Sequence, residues 1–137
     1  AALRDGVGFV GNSAASVQKP VKAPVIDLNA IEDFRADSND QALRRLIDTF
    51  LKDAAQKLDR LKDIAADHTA KAEAVRLAHS LKSSGAMAGA AALSQFAARL
   101  EQSLAGDAAQ VTASDITDMK VLFTAYRAEL VALGLAA

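Results

Sequence analysis

The stretch Gln41-Ala42-Leu43-Arg44-Arg45-Leu46-Ile47-Asp48-Thr49-Phe50-Leu51-Lys52-Asp53-Ala54-Ala55-Gln56-Lys57-Leu58-Asp59-Arg60-Leu61-Lys62-Asp63-Ile64-Ala65 decides the fold. Its apolar residues Leu43, Leu46, Ile47, Phe50, Leu51, Ala54, Leu58, Leu61 and Ala65 recur every three or four positions, the period of one face of an α-helix. Ser38 and Gln41 have capping-box spacing, so the helix is expected to open after the polar break Asp37-Ser38-Asn39-Asp40. Upstream, Leu28, Ile31 and Phe34 predict a short helix over about 28–35, with Asp27 or Asn29 as N-cap. Downstream, Thr69 can cap a third helix that ends around 87–89, where glycine tolerates the left-handed conformation of helix C-termini. Leu93, Phe96, Ala97, Leu100 and Leu104 mark a fourth helix stopping near Gly106. Ile116, Met119, Leu122, Phe123, Tyr126, Leu130 and Leu133 mark a fifth, beginning after Thr112 or Ser114. No stretch alternates with period two. An all-α, up-down-up-down four-helix bundle with a short extra N-terminal helix is therefore expected.

Residues 1–24 differ from the rest. Gly6, Gly8, Gly11, Ser13, Ser16, Pro20 and Pro24 punctuate a stretch without sustained period, read as a flexible linker or arm preceding a bundle over 25–137. The chain does not start with methionine, as expected of a piece of a larger protein or a processed chain. Its interior must be built mainly from Leu, Ala, Ile and Val, because 51% of the residues are hydrophobic but only 4% aromatic. Sixteen basic and 17 acidic side chains, interspersed to a formal charge of −1, give no footprint for nucleic acid or an anionic membrane. Without cysteine there is no disulfide, thiolate catalysis or Cys-based metal site, which is compatible with a cytoplasmic protein. No apolar run approaches the ~20 residues needed to span a bilayer.

Chemistry concentrates in Ala78-His79-Ser80-Leu81-Lys82-Ser83-Ser84-Gly85. At ~100° per residue, Ala74, Leu77, Leu81 and Ala88 share one face, whereas Ala72, Val75, Arg76, His79, Lys82, Ser83 and Ala86 share the other. His79 therefore points away from the core, with a lysine beside it at i+3 and only small residues in the next turn. An accessible neutral imidazole is a competent nucleophile. An adjacent ammonium can neutralise an anion attached to it. If helices three and four form an antiparallel hairpin about Gly89, His79 lies roughly as far before the turn as Glu101 lies after it. The Glu101 carboxylate could then accept a hydrogen bond from one ring nitrogen and leave the other free to react. His68, in the polar turn Ala66-Asp67-His68-Thr69, reads as solvated surface.

These residues resemble the histidine-containing phosphotransfer (HPt) domain family, whose members carry A-H-x-L-K-G, then L-G-A-x-x-L, then L-E. The matching positions are Ala78, His79, Leu81 and Lys82, then Gly89, Ala90 and Leu93, then Leu100 and Glu101. The opening Val25-Ile26-Asp27-Leu28 and the run from Leu46 to Asp53 are similar too. Ser83 departs from the usual glycine and Ala88 from the common leucine. The resemblance implies a phosphorelay intermediate without its own ATP site. His79 would accept a phosphoryl group on Nε2 from a receiver-domain aspartate, and Lys82 would stabilise its charge. Glu101 falls at the position from which a side chain commonly holds the histidine. Partners would be response-regulator receiver domains or a hybrid histidine kinase. No cofactor or metal would sit on this chain, magnesium being expected on the receiver, and monomer is the default state. The expected receiver-docking strip is Val75, Arg76, Ser83 and Ala86, completed by Ile31 and Phe34 of the first helix. Rival readings are a chemotaxis-kinase-type phosphotransfer domain, a non-phosphorylated helical adaptor, and a histidine-kinase dimerisation domain. The last usually follows its histidine with an acidic residue and a proline, where Ser80 and Ser84 stand here. No Glu-x-x-His or His-x-x-x-His spacing supports a metal enzyme.

Overall fold

Side-chain caps set where three of the helices begin. In the computed structural model, which describes residues 21–68 and 70–137, five α-helices follow one another: α1 (Leu28–Asp37), α2 (Asp40–Asp67), α3 (Lys71–Met87), α4 (Ala91–Ser103) and α5 (Ala113–Ala132). No strand occurs among the described residues. Asp27 caps α1 by accepting from the Ala30 N–H. Thr112 and Asp115 form a reciprocal capping box at α5, which explains why buried Asp115 is tolerated. At α2 the cap is Asn39, accepting from Ala42 N–H at 2.8 Å, and not Ser38. The Ser38 hydroxyl turns back to the Phe34 carbonyl at the end of α1. Thr69, expected to cap α3, lies outside the described residues, and the α3 N-cap position is Ala70, without a side-chain cap bond.

Each of the four longer helices packs on two others: α2 on α3 and α5, and α4 on α3 and α5. They enclose a core of Leu43, Ile47, Phe50, Leu58 and Leu61 from α2, Ala74, Ala78 and Leu81 from α3, Leu93, Phe96 and Leu100 from α4, and Met119, Tyr126 and Leu130 from α5. Phe50 and Tyr126 meet edge to face at 5.6 Å, a favourable aromatic geometry. The Tyr126 hydroxyl, too deep for water, donates to the Ala88 carbonyl. Burial raises its pKa, so it stays a phenol. Truncating one of the fully buried leucines, such as Leu81, would cost about 2–5 kcal/mol.

The α3–α4 pair is the closest contact, because α3 turns its small residues inward. Ala74, Ala78, Leu81 and Gly85 are its buried positions. A methyl group on Gly85 would stand 3.3 Å from the Ser94 side chain of α4. The turn between them uses Gly89 at φ +75, and the chain before α1 fastens it. The Asp27 N–H donates to the Gly89 carbonyl at 2.7 Å, and the Ala92 N–H donates to the Pro24 carbonyl at 2.9 Å. Gln95 accepts from the Lys22 and Ala23 N–H groups at 2.8 and 3.2 Å. Within the arm expected over 1–24, residues 22–24 are hydrogen-bonded to α4. Residues 1–20 lie outside the described residues. Two apolar positions also differ from expectation. Leu133, assigned to the inward stripe of α5, is 47% exposed. Gly134 at φ +75 turns the chain there, and Leu135 is the residue buried instead.

Candidate functional site

The site grows from the tight α3–α4 contact. Ala78 and Leu81 are fully buried on either side of His79, which fixes the helix rotation and leaves the imidazole 59% exposed. Across the hairpin, Leu100 is fully buried and Glu101 follows it at the edge of the contact, 25% exposed. The Glu101 carboxylate takes both groups of α3 at once. His79 Nδ1 is 2.9 Å from Oε2, and Lys82 Nζ is 2.8 Å from Oε1. Ser94 ties the same stretch from behind, its hydroxyl donating to the Lys82 carbonyl at 2.7 Å.

This arrangement determines the chemistry of the ring. The hydrogen bond from Lys82, aided by that from His79 and opposed by partial burial, holds the Glu101 carboxyl below the usual carboxylate range. An ionised carboxylate only accepts, so the His79 nitrogen facing it carries the proton. In the neutral ring this tautomer leaves the lone pair on Nε2. That nitrogen has no hydrogen-bond partner among the described residues and lies on an exposed side chain. The result is an exposed imidazole held in place on the surface, with a carboxylate behind it and a cation beside that carboxylate.

The other expected site residues divide. Arg76, Ser83 and Ala86 are exposed and Val75 is half-buried, on the helix face that carries His79. Phe34 is half-buried and packs against the core. Ile31 does not belong to an exposed strip. It is 2% exposed, and its side chain would stand 2.9 Å from a methyl group on Gly89. It seals the α3–α4 turn and cannot also meet a partner. The exposed apolar residues near that turn are Met87 at 61% and Leu28 at 52%. Sequence spacing missed them because it does not reveal that α1 starts beside Gly89. Ser94 and Gln95 were missed likewise, and hydroxyl and amide residues mid-helix give no signal by themselves. His68 ends α2 in the left-handed conformation at φ 56 and is exposed.

The family model described as Hpt domain matches residues 45–133, more than half of the chain and a span that includes His79, Lys82 and Glu101. Comparison with curated proteins and with solved structures finds no match. Among the described residues no helix is long and apolar enough to cross a membrane. The family match shows that this chain, with the exposed imidazole and its carboxylate inside the matched span, belongs to the Hpt domain family.

Proposed function

We propose that the chain relays a phosphoryl group between aspartates of receiver domains, with His79 as the carrier. Family membership implies histidine phosphotransfer in a phosphorelay by a module without kinase activity of its own. The observation that carries the residue assignment is the Nδ1–Glu101 hydrogen bond, which leaves Nε2 as the reactive nitrogen. The four longer helices, read as running up-down-up-down, present that nitrogen on an open face.

In the forward step the Nε2 lone pair attacks phosphorus. The N–P bond forms as the P–O bond to the aspartyl carboxyl breaks, and that electron pair leaves with the receiver's carboxylate. No proton need depart: the ring retains its Nδ1 hydrogen and becomes cationic, opposite the anionic Glu101. Transfer passes through a loose state in which positioning and charge neutralisation dominate. Lys82, resting on Glu101, has the reach and charge to share itself with the incoming phosphoryl oxygens. The reverse step, to a second receiver, regenerates the neutral ring. The receiver supplies the aspartate and its magnesium. It would dock over the face bearing Val75, Arg76, Ser83 and Ala86, extended toward Met87 and Leu28 as exposed apolar anchors. Met87 lies about 12 Å along α3 from His79, within the footprint of a standard interface of ~800 Å² per partner.

The test is transfer from a receiver labelled on its aspartate. Wild-type chain should acquire acid-labile, base-stable label, and His79→Gln should acquire none while retaining its helical circular dichroism. Equal labelling of His79→Gln would exclude the assignment.

A further inference from the structure

The face of the bundle remote from His79 is not an ordinary solvated surface. Helix α5 is apolar on two sides. Met119, Tyr126 and Leu130 point inward and are fully buried. Thr117, Val121, Thr124, Ala128 and Val131 repeat at spacings of four and three and are all exposed, with Val121 at 62% and Val131 at 47%. A surface helix ordinarily shows solvent a charged face, whereas this stripe has none. It borders the groove where α5 packs on α2, and that groove has two hollows in line. One, of about 350 Å³, is lined by Ala65, Ala66, Ala113 and Ile116 together with Lys62 and Lys120. The other, of about 340 Å³, is lined by Leu51, Ala55 and Leu135 together with Asp48, Lys52 and Arg127.

The charges along this groove are lopsided. Lys52 is paired with Asp48 at 3.1 Å, and Asp59 stands on the same flank of α2, one turn before Lys62. Lys62, Lys120 and Arg127 have no ion pair among the described residues. On the α5 flank that faces α2, both charged side chains are basic; Asp118 and Glu129 fall on the opposite flank by helical spacing. A second copy of the chain laid antiparallel on this stripe would set Lys120 and Arg127 against the same residues of its partner, a like-charge contact.

We infer that the α2–α5 groove receives an amphipathic helix from a partner protein whose apolar stripe is bordered by carboxylates. The apolar hollows and the uncharged stripe take its hydrophobic side chains, and Lys62, Lys120 and Arg127 face its acidic border. Helix-in-groove recognition uses anchors at i, i+3, i+4 and i+7, and the groove from Ile47 to Ala66 is about 28 Å long, room for a helix of about 18 residues. Because His79 stands on α3 at its contact with α4, away from the groove between α2 and α5, such a partner and a receiver can bind together.

The probes are two synthetic helical peptides of about 18 residues with the same leucine stripe, one bordered by glutamate and one by lysine. They are titrated into the ¹⁵N-labelled full chain. The glutamate peptide should shift amides of Lys62, Ala66, Thr117, Thr124 and Val131 and leave His79, Lys82 and Glu101 in place. Lys120→Glu with Arg127→Glu should weaken it roughly tenfold, two surface ion pairs being turned into repulsions, and should favour the lysine peptide instead. Both positions are exposed, and receiver-driven phosphorylation of the double variant should be unchanged, which verifies its fold independently. Equal shifts from the two peptides, shifts centred on the His79 face, or no shift at millimolar peptide would overturn the proposal. So would α5 shifts that depend on chain concentration alone with a dimer in sedimentation, which would identify a second copy as the occupant.

Discussion

Replacing Gly89 by alanine tests how the α3–α4 turn is held, and Gly134 provides the matched comparison. Both glycines have φ +75, so alanine pays the same left-handed backbone penalty at each, about 1–2 kcal/mol. Their surroundings differ. A methyl group at Gly134 meets nothing within 4 Å, whereas at Gly89 it stands 2.9 Å from Ile31 Cγ1 and 3.1 Å from the Asp27 carbonyl. The Asp27 backbone cannot yield without stretching its own bond to the Gly89 carbonyl. Ile31 is 2% exposed, so it has little free space into which to move. Overpacking of this kind adds about 1–3 kcal/mol. Gly134→Ala should therefore lose about 1–2 kcal/mol and Gly89→Ala about 2–5, measured by urea unfolding at unchanged m-value. Gly89→Ala should also shift the amides of Ile31 and Asp27. Equal losses in the two variants would mean that α1 does not press on the turn.

Tyr126→Phe should destabilise by about 1–3 kcal/mol, since the buried Ala88 carbonyl loses its partner. Tyr126 is the chain's single tyrosine, and its raised pKa predicts that ultraviolet titration shows phenolate only where circular dichroism shows unfolding. The Glu101 carboxyl titrates below its ordinary value of 4.5; a depressed folded-state pKa gives stability present above the unfolded value and lost as pH falls through the folded one. Carboxyl ¹³C titration should show this low midpoint, and Lys82→Ala should raise it. Lys82→Ala should also slow receiver-driven phosphorylation on the order of tenfold or more, with partial recovery in Lys82→Arg; an unchanged rate would remove Lys82 from the chemistry.

Much of the architecture is legible in residue spacing because burial enforces it. The stripe from Leu43 to Ala65 lies almost wholly on the inward face of α2, and small Ala78 and Gly85 foreshadow the tight α3–α4 contact that brings Glu101 to His79. What spacing could not give depends on how elements meet. Ile31 and Leu28 share a short apolar pattern, and only the placement of α1 against Gly89 decides that one is sealed and the other exposed. Ser38 and Asn39 are both competent caps; the Ser38 hydroxyl goes to the preceding helix, leaving α2 to Asn39. Leu133 continues the periodicity of α5, but Gly134 ends the helix first. The basic α2–α5 groove arises from two helices about 60 residues apart, so neither announces it alone.

If Glu101 holds the Nδ1 proton of His79, Nε2 alone accepts phosphorus. The direct measurement is ¹⁵N–³¹P coupling in chain labelled with ¹⁵N-histidine and phosphorylated by a receiver. The coupling should appear at Nε2 of His79, with the Nδ1 proton retained and hydrogen-bonded. Phosphorus on Nδ1, or on His68, would contradict it.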